Sequence, residues 1–422
     1  MFLKYKFVPS PKRKADASES LHRHIVAKQR KALYDMPAGH PREISGSLPY
    51  LSDRPLLIGG MRGSGRATLL GRMLKDEYPE AWYTDFDDPR LAGFDESDFA
   101  KLDRLIRDSG KGILLLNKVD CAAGWLPFLS EKPAQGIKVI ATVSLPSLLG
   151  VEQDMRSNRI SGLFVTRRLE PLSYNEFLGF THKKGSSQAV ADYMARGALP
   201  EAVQASRPGT MLRLYDRIVC RDLIVAGGIR DRQTLQRVVL HLIASSGGTV
   251  TANNLREKLR IKAVSTAAEH MALAERAGLV AFVPILTDNP ARQAINPRKV
   301  YAADTAMIAA LSPEPQPDRD RLFETMIFNH LRRSCSSIRY TTEQGGCDFV
   351  ATDSEGAIRC VQACREDDSD RMQDKIDGLL FALRATGLRK GTIVTETGSE
   401  RILRDGLEIE VTDADAFLSE TV

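Results

Sequence analysis

With 422 residues, 43% hydrophobic and 27% charged, the chain has enough apolar residues for two to three cored domains, and its net charge of +5 is too small to name a partner. No run of eighteen apolar residues occurs and the N-terminus lacks an apolar signal segment, so a cytoplasmic protein without membrane association is expected. Six cysteines are scattered, and only Cys360 and Cys364 lie four apart with no second pair at zinc-ligand spacing, which excludes a disulfide scaffold and any expected metal centre.

The first fifty residues are polar and basic. Lys4, Lys6, Lys12, Arg13, Lys14, Arg23, Lys28, Arg30, Lys31 and Arg42 face only Asp16, Glu19, Asp35 and Glu43. They read as a solvated lead-in with one helix near residues 17–35, or as an arm drawn to nucleic acid. The run from Arg54 to Leu70 follows: an apolar strand, Leu56 to Ile58, a glycine-rich loop, and the amphipathic pattern Leu69, Leu70, Met73, Leu74. That order is a P-loop, whose glycines let backbone N–H groups close around phosphates at a helix N-terminus.

Two chemical positions of G-x-x-x-x-G-K-[ST] are changed. Arg66 stands where the lysine reaches the β- and γ-phosphates; it keeps the charge on a bulkier planar fork. Ala67 replaces the hydroxyl that binds Mg2+. Thr68 is one position further along the helix, turned by roughly 100°. The candidate nucleotide contacts here are Gly60, Gly63, Ser64, Gly65, Arg66, Ala67 and Thr68.

Residues 51–180 alternate strand and helix, with strands expected at Leu56–Ile58, Ala81–Phe86, Ile113–Leu116, Val139–Val143 and Leu163–Thr166 and helices at Thr68–Glu77 and Phe99–Ser109. Short apolar runs joined by helices imply a parallel sheet covered on both faces, with ligand at the strands' carboxyl ends. The strand Gly112 to Leu116 ends in Asn117-Lys118, where an ATPase usually has Asp-Glu. Asn117 brings no charge for a metal and Lys118 no carboxylate base, although Lys118 could neutralise phosphate. Asn117-Lys-Val-Asp120 also resembles a guanine-reading N-K-x-D, but it follows the P-loop too closely, without an intervening D-x-x-G.

Three later stretches carry a family resemblance: Arg168-Leu-Glu-Pro-Leu-Ser-Tyr-Asn-Glu-Phe-Leu178, Tyr193-Met-Ala-Arg-Gly-Ala-Leu-Pro-Glu-Ala-Val203 and Tyr215-Asp-Arg-Ile-Val-Cys-Arg-Asp-Leu223. In this order they resemble a large prokaryotic family of AAA+-type ATP-binding proteins with a C-terminal domain of long-unassigned function. The resemblance covers roughly residues 45–420. The family's G-K-T falls on Gly65-Arg66-Ala67, its Asp-Glu on Asn117-Lys118, its Gly-Arg on Gly162-Leu163, and its strand ending in Gly-Ser on Thr142-Val143-Ser144. Four departures together imply lost or badly weakened hydrolysis. The resemblance also implies ATP as cofactor, no ordinary route for holding Mg2+, and a homo- or hetero-oligomer in which an intact relative could supply hydrolysis.

Residues 205–310 read as mostly helical. Thr251–Leu259 and Val264–Leu279 have helix-turn-helix spacing, with Val280 and Lys299-Val-Tyr301 as a wing. Arg256, Lys258, Arg260 and Lys262 place positive charge at the turn, making DNA a candidate partner; the alternative is a packing module. Residues 318–422 resemble the family's restriction-endonuclease-like module, with matching positions Glu324, Asp348, Gln362 and Cys364. An active nuclease would have an acid and a lysine at the last two, so no metal-dependent nuclease is expected. The seven histidines show no repeated ligand spacing, and no catalytic residue is assigned.

The expected architecture is an α/β P-loop NTPase (AAA+-like) parallel sheet, a helical and winged-helix middle, and a C-terminal α/β restriction-endonuclease-like domain. Its boundaries are a lead-in at 1–45, the P-loop domain at 46–182, the middle at 183–317 and the last domain at 318–422. The leading function is nucleotide binding with little or no hydrolysis, acting through protein or DNA contacts. The alternatives are an ATPase with a compensated site and a DNA-binding scaffold with an empty P-loop.

Overall fold

The computed structural model describes residues 19–37, 39–48, 52–204, 209–225, 229–312, 318–365 and 369–420. The basic residues Lys4, Lys6, Lys12, Arg13 and Lys14 lie outside them. The chain divides into two compact units, residues 1–170 with 226–228, and residues 171–225 with 229–422.

The first unit is a five-stranded, wholly parallel sheet. Its strands are β1 (Leu56–Gly60), β2 (Trp82–Asp85), β3 (Ile113–Asn117), β4 (Lys138–Ser144) and β5 (Val165–Arg168), in the spatial order β2-β3-β4-β1-β5. Successive side chains on a strand point to opposite faces, and the cores divide accordingly. Leu57, Leu114, Leu116, Ala141 and Val143 join one apolar cluster; Leu56, Ile58, Leu115 and Ile140 join the other. The helix Arg66–Asp76 buries Leu69, Leu70, Met73 and Leu74 in the second. All five expected strands are found within two residues of their expected ends. The fifth starts two residues late because Phe164 is buried ahead of it while Leu163 is 44% exposed.

The helix expected near residues 17–35 spans Glu19–Asp35 and is docked rather than solvated. Ile25, Val26 and Leu33 are buried in the sheet's two clusters. The Gln29 amide accepts from Asp85 N–H at 3.0 Å and donates to the Asp85 carbonyl at 3.0 Å, satisfying the backbone at the end of an edge strand.

The second unit contains a three-stranded antiparallel sheet, β6 (Thr249–Val250), β7 (Val280–Val283) and β8 (Arg298–Ala302), ordered β6-β8-β7. The helices Ala252–Leu259 and Val264–Arg276 lie between β6 and β7. The turn between them passes through Arg260 at φ 53°. Six further strands, β9 (Cys335–Arg339), β10 (Phe349–Asp353), β11 (Ile358–Ala363), β12 (Lys390–Thr395), β13 (Glu400–Arg404) and β14 (Leu407–Asp413), form a mixed sheet ordered β13-β14-β12-β11-β10-β9. The middle and C-terminal stretches, read separately in the sequence, share a core here: Tyr301 of β8 stacks on Phe328 at 4.3 Å, and Asn329 donates to the Ala302 carbonyl at 3.0 Å.

Two of the three family-like stretches have structural work to do in this unit. Ser173 and Glu176 form a reciprocal cap at the start of the helix Tyr174–Thr181, and the buried Glu176 carboxylate lies 3.6 Å from Arg333. Gly197, Ala198 and Leu199 cradle the buried Asp304, whose carboxylate accepts from Ala198 N–H at 2.7 Å and Leu199 N–H at 2.9 Å.

His330 illustrates a cost of this packing. Burial, then the charges of Arg333 and Arg359, push its imidazole down to about 4, and its ring lies 5.2 Å from that of Phe417. The unfolded state therefore binds the extra proton between about pH 6.5 and pH 4, and stability falls as pH drops through that window, by roughly 3 kcal/mol at most. Urea unfolding between pH 7 and pH 4 checks this; a His330→Leu variant is expected to lack that part of the decline.

Candidate functional site

The carboxyl end of β1 runs into the loop Gly60–Gly65 and then into the helix Arg66–Asp76. Gly63 at φ 89° and Gly65 at φ 95° take backbone conformations that L side chains disfavour. Gly60 is needed for a different reason: a Cβ there would lie 2.5 Å from the Leu169 carbonyl oxygen and 2.9 Å from Ser64 Oγ. Ser64 is fully buried and its hydroxyl has no hydrogen-bond partner. Arg42, from the segment before β1, straps the loop by donating to the Ser64 and Glu170 carbonyls at 2.7 Å each. Nothing in the sequence distinguished Arg42 from the other lead-in cations.

Arg66 is 8% exposed, and its guanidinium donates to the Val143 carbonyl at the end of β4. Ala67 is half-buried and offers only a methyl group. Thr68 faces Gly39, where an added Cβ would come within 2.7 Å of the threonine methyl.

On the next strands, Asn117 is 2% exposed and bonded on both sides of its amide: Thr142 Oγ1 donates to its Oδ1 at 2.7 Å, and it hydrogen-bonds the Asp85 carboxylate. Burial pushes the Asp85 carboxyl above its ordinary value, against the opposing effects of Asp87 N–H, Lys118 and Asn117. Lys118 sits at φ 48°, its N–H donates to Thr142 Oγ1 at 2.9 Å, and its ammonium pairs with Asp87. Arg62 of the loop lies 3.9 Å from the same Asp87 carboxylate. Asp85 and Asp87 were missed in the sequence because their partners come from other elements, and Thr142, named there only within a strand end, shows its bonds to Asn117 and Lys118 only in the fold. Asp120, the last residue of the guanine-like motif, is committed elsewhere: its Oδ2 accepts from Ser144 N–H at 2.9 Å and Ser147 Oγ at 2.7 Å.

The loop fits an anion. The groups beside it do not match a magnesium ion: Ala67 brings a methyl, Asn117 an amide already hydrogen-bonded on both sides and Lys118 an ammonium, while the two nearby carboxylates are engaged, Asp85 by Asn117 and Asp87 by Lys118 and Arg62. Among the described residues, no three His, Cys, Asp or Glu side chains are grouped to hold a metal.

The other candidate residues lie in the second unit. Lys258, Arg260 and Lys262 are exposed around the helix–helix turn, while Arg256 is partly buried and paired with Glu257 at 3.0 Å. Glu324, Asp348 and Gln362 are brought into one hydrogen-bonded cluster, but it is filled by two lysines. Lys299 Nζ lies 2.8 Å from Glu324 Oε1 and 2.9 Å from Asp348 Oδ1, and Lys375 pairs with Asp348 Oδ2. Tyr301 donates to Glu324 at 2.6 Å; Gln362 accepts from Asp348 N–H at 3.0 Å and donates to the Gly346 carbonyl at 2.7 Å.

Burial opposes the charge on all three central groups, yet their partners outweigh it. Asp348 is held well below the usual carboxylate range by Lys299 and Lys375, and both ammoniums stay above their ordinary values beside Asp348 and Glu324. Burial also raises the Cys364 thiol. With ammonium groups between the carboxylates and a neutral amide at position 362, this cluster does not fit a divalent metal. The one available hint of Lys299 was its spacing of two from Tyr301, which puts both on one face of β8.

Comparison with known families matches residues 52–178 to an AAA domain and residues 187–318 to a domain of unknown function (DUF8612). The first match covers the five strands of the parallel sheet and agrees with its α/β P-loop fold. An uncharacterised protein of Haemophilus influenzae is 25% identical over 229 residues, covering 50% of this chain and 56% of its own length. The matched region thus spans little more than half of that relative. AMPPCP-bound DnaA from Aquifex aeolicus aligns with 62% of this chain and 90% of its own at 13% identity, TM-score 0.27. The ORC2 protein of Aeropyrum pernix aligns with 77% of this chain and 96% of its own at 13% identity, TM-score 0.32. The RuvB Holliday junction branch migration motor of Thermotoga maritima aligns with 64% of this chain and 95% of its own at 17% identity, TM-score 0.26. No helix among the described residues is long and apolar enough to cross a membrane.

Proposed function

We propose, on the premise that residues 52–178 form an AAA domain, that this chain binds an adenine nucleotide through Gly60–Gly65 and hydrolyses it slowly or not at all. The observation that carries the reading is the loop itself, with Gly63 and Gly65 in left-handed conformations and Gly60 without room for a Cβ at the end of a buried strand. Helix N–H groups at such a turn favour phosphate. The absence of hydrolysis is argued from Ala67, Asn117 and Lys118, which supply neither a hydroxyl for a metal nor a carboxylate for water. The protein then acts through contacts with other chains or DNA, in a homo- or hetero-oligomer, and its C-terminal module serves as a scaffold.

Calorimetric titration with ATP and ADP, beside a phosphate-release assay, tests this. Micromolar binding with no turnover above background is expected. Sustained Mg2+-dependent turnover would favour the compensated ATPase, and no binding would leave the loop a structural relic.

A second reading, DNA binding, is favoured by the exposure of Lys258, Arg260 and Lys262 around one turn. If these contact phosphates, replacing all three by alanine lowers the slope of log K against log salt by roughly 3 in a duplex-binding assay. An unchanged slope would remove them from any DNA interface.

A further inference from the structure

We infer that the loop is a metal-independent site for a nucleoside diphosphate rather than for a triphosphate. This rests on the nucleotide reading above and goes past it to the ligand. Position 66 is where a P-loop cation reaches the β- and γ-phosphates, and here its guanidinium is turned onto the Val143 carbonyl. Val143 pairs with Gly59 of β1, so this contact lies at the carboxyl edge of the two neighbouring strands, where a third phosphate would extend.

Other cations beside the loop are engaged as well. Lys118 and Arg62 share Asp87, and Arg42 holds two backbone carbonyls. Asn117 is fixed between Thr142 and Asp85. A triphosphate brings one more negative charge than a diphosphate. It needs a metal or a mobile cation at its far end, and these side chains provide neither. The first two phosphates need less. They are served by the N–H groups of the loop and of the helix start, where Gly63 and Gly65 take left-handed conformations. Arg66 thus selects by filling space and by withholding its charge.

The test is titration calorimetry of the full chain with ADP and with ATP, each in EDTA and in excess Mg2+, repeated on Arg66→Lys. The expected result is ADP bound at least tenfold more tightly than ATP, with no tightening by Mg2+. In Arg66→Lys the ADP-to-ATP ratio is expected to fall towards one, because a lysine ammonium is a compact charge freed from the Val143 carbonyl. Thermal unfolding of the variant checks that it is folded. ATP bound as tightly as ADP, or a tenfold gain from Mg2+, overturns this inference while leaving nucleotide binding intact. Failure of both nucleotides to bind overturns the nucleotide reading as well.

Discussion

Replacing Lys299 by methionine is expected to lower the unfolding free energy by about 3–5 kcal/mol, the usual cost of removing one partner of a buried ion pair. The ammonium lies within 3 Å of both carboxylates, 2.8 Å from Glu324 and 2.9 Å from Asp348, whose side chains are 15% and 8% exposed. Lys375 remains on Asp348 and Tyr301 on Glu324, so the loss falls on Glu324, left with a hydroxyl to balance a full charge. Adding Glu324→Gln removes the uncompensated charge and is expected to recover at least about 1 kcal/mol.

The effect of pH has a definite form. The folded value of Lys299 is raised, so its contribution is complete below the unfolded value near 10.4 and is lost as pH rises through the folded value. The folded value of Asp348 is lowered, so its contribution is present above the unfolded value near 3.9 and is lost as pH falls through the folded value. The deficit of Lys299→Met is therefore flat between about pH 5 and pH 9. Urea unfolding at three pH values in that range measures it. A deficit below about 1 kcal/mol would mean that the cluster behaves as a solvated surface pair.

Gly378→Ala should also destabilise, by about 3 kcal/mol or more, although the same change in an exposed helix gains about 1 kcal/mol. Gly378 lies in the helix Ser369–Thr386, and a Cβ there would come 2.1 Å from the Gly346 carbonyl oxygen. That oxygen belongs to backbone at φ 78° and accepts from Gln362 at 2.7 Å, so it has little freedom to retreat. The helix must move instead, carrying Lys375 away from Asp348. Gly150→Ala is the control: it lies in the helix Leu145–Arg156 with nothing within 4 Å of the added carbon, and should gain up to about 1 kcal/mol. Thermal unfolding of the two variants gives the comparison. Equal shifts would sink the packing argument.

The sequence alone was enough for the P-loop and for the sheet behind it. Strand, glycines and amphipathic helix are contiguous between Leu56 and Leu74, and the short apolar runs of β1, β3 and β4 mark strands buried on both faces. The unusual residues Arg66, Ala67, Asn117 and Lys118 were equally visible, because their positions are defined by nearby landmarks.

Only the tertiary structure decided what those residues touch. Arg66 meets Val143, 77 positions away, and Lys118 meets Asp87, 31 positions away. Asp348 in turn receives Lys299 and Lys375, 49 and 27 positions away. A lone lysine on a strand or helix reads as a solvated charge. It becomes an internal counter-ion only when a carboxylate from another element is buried against it and water can no longer screen either group. Local spacing holds no record of that event, which is why Glu324 and Asp348 could be picked out as carboxylates while the cations that neutralise them could not.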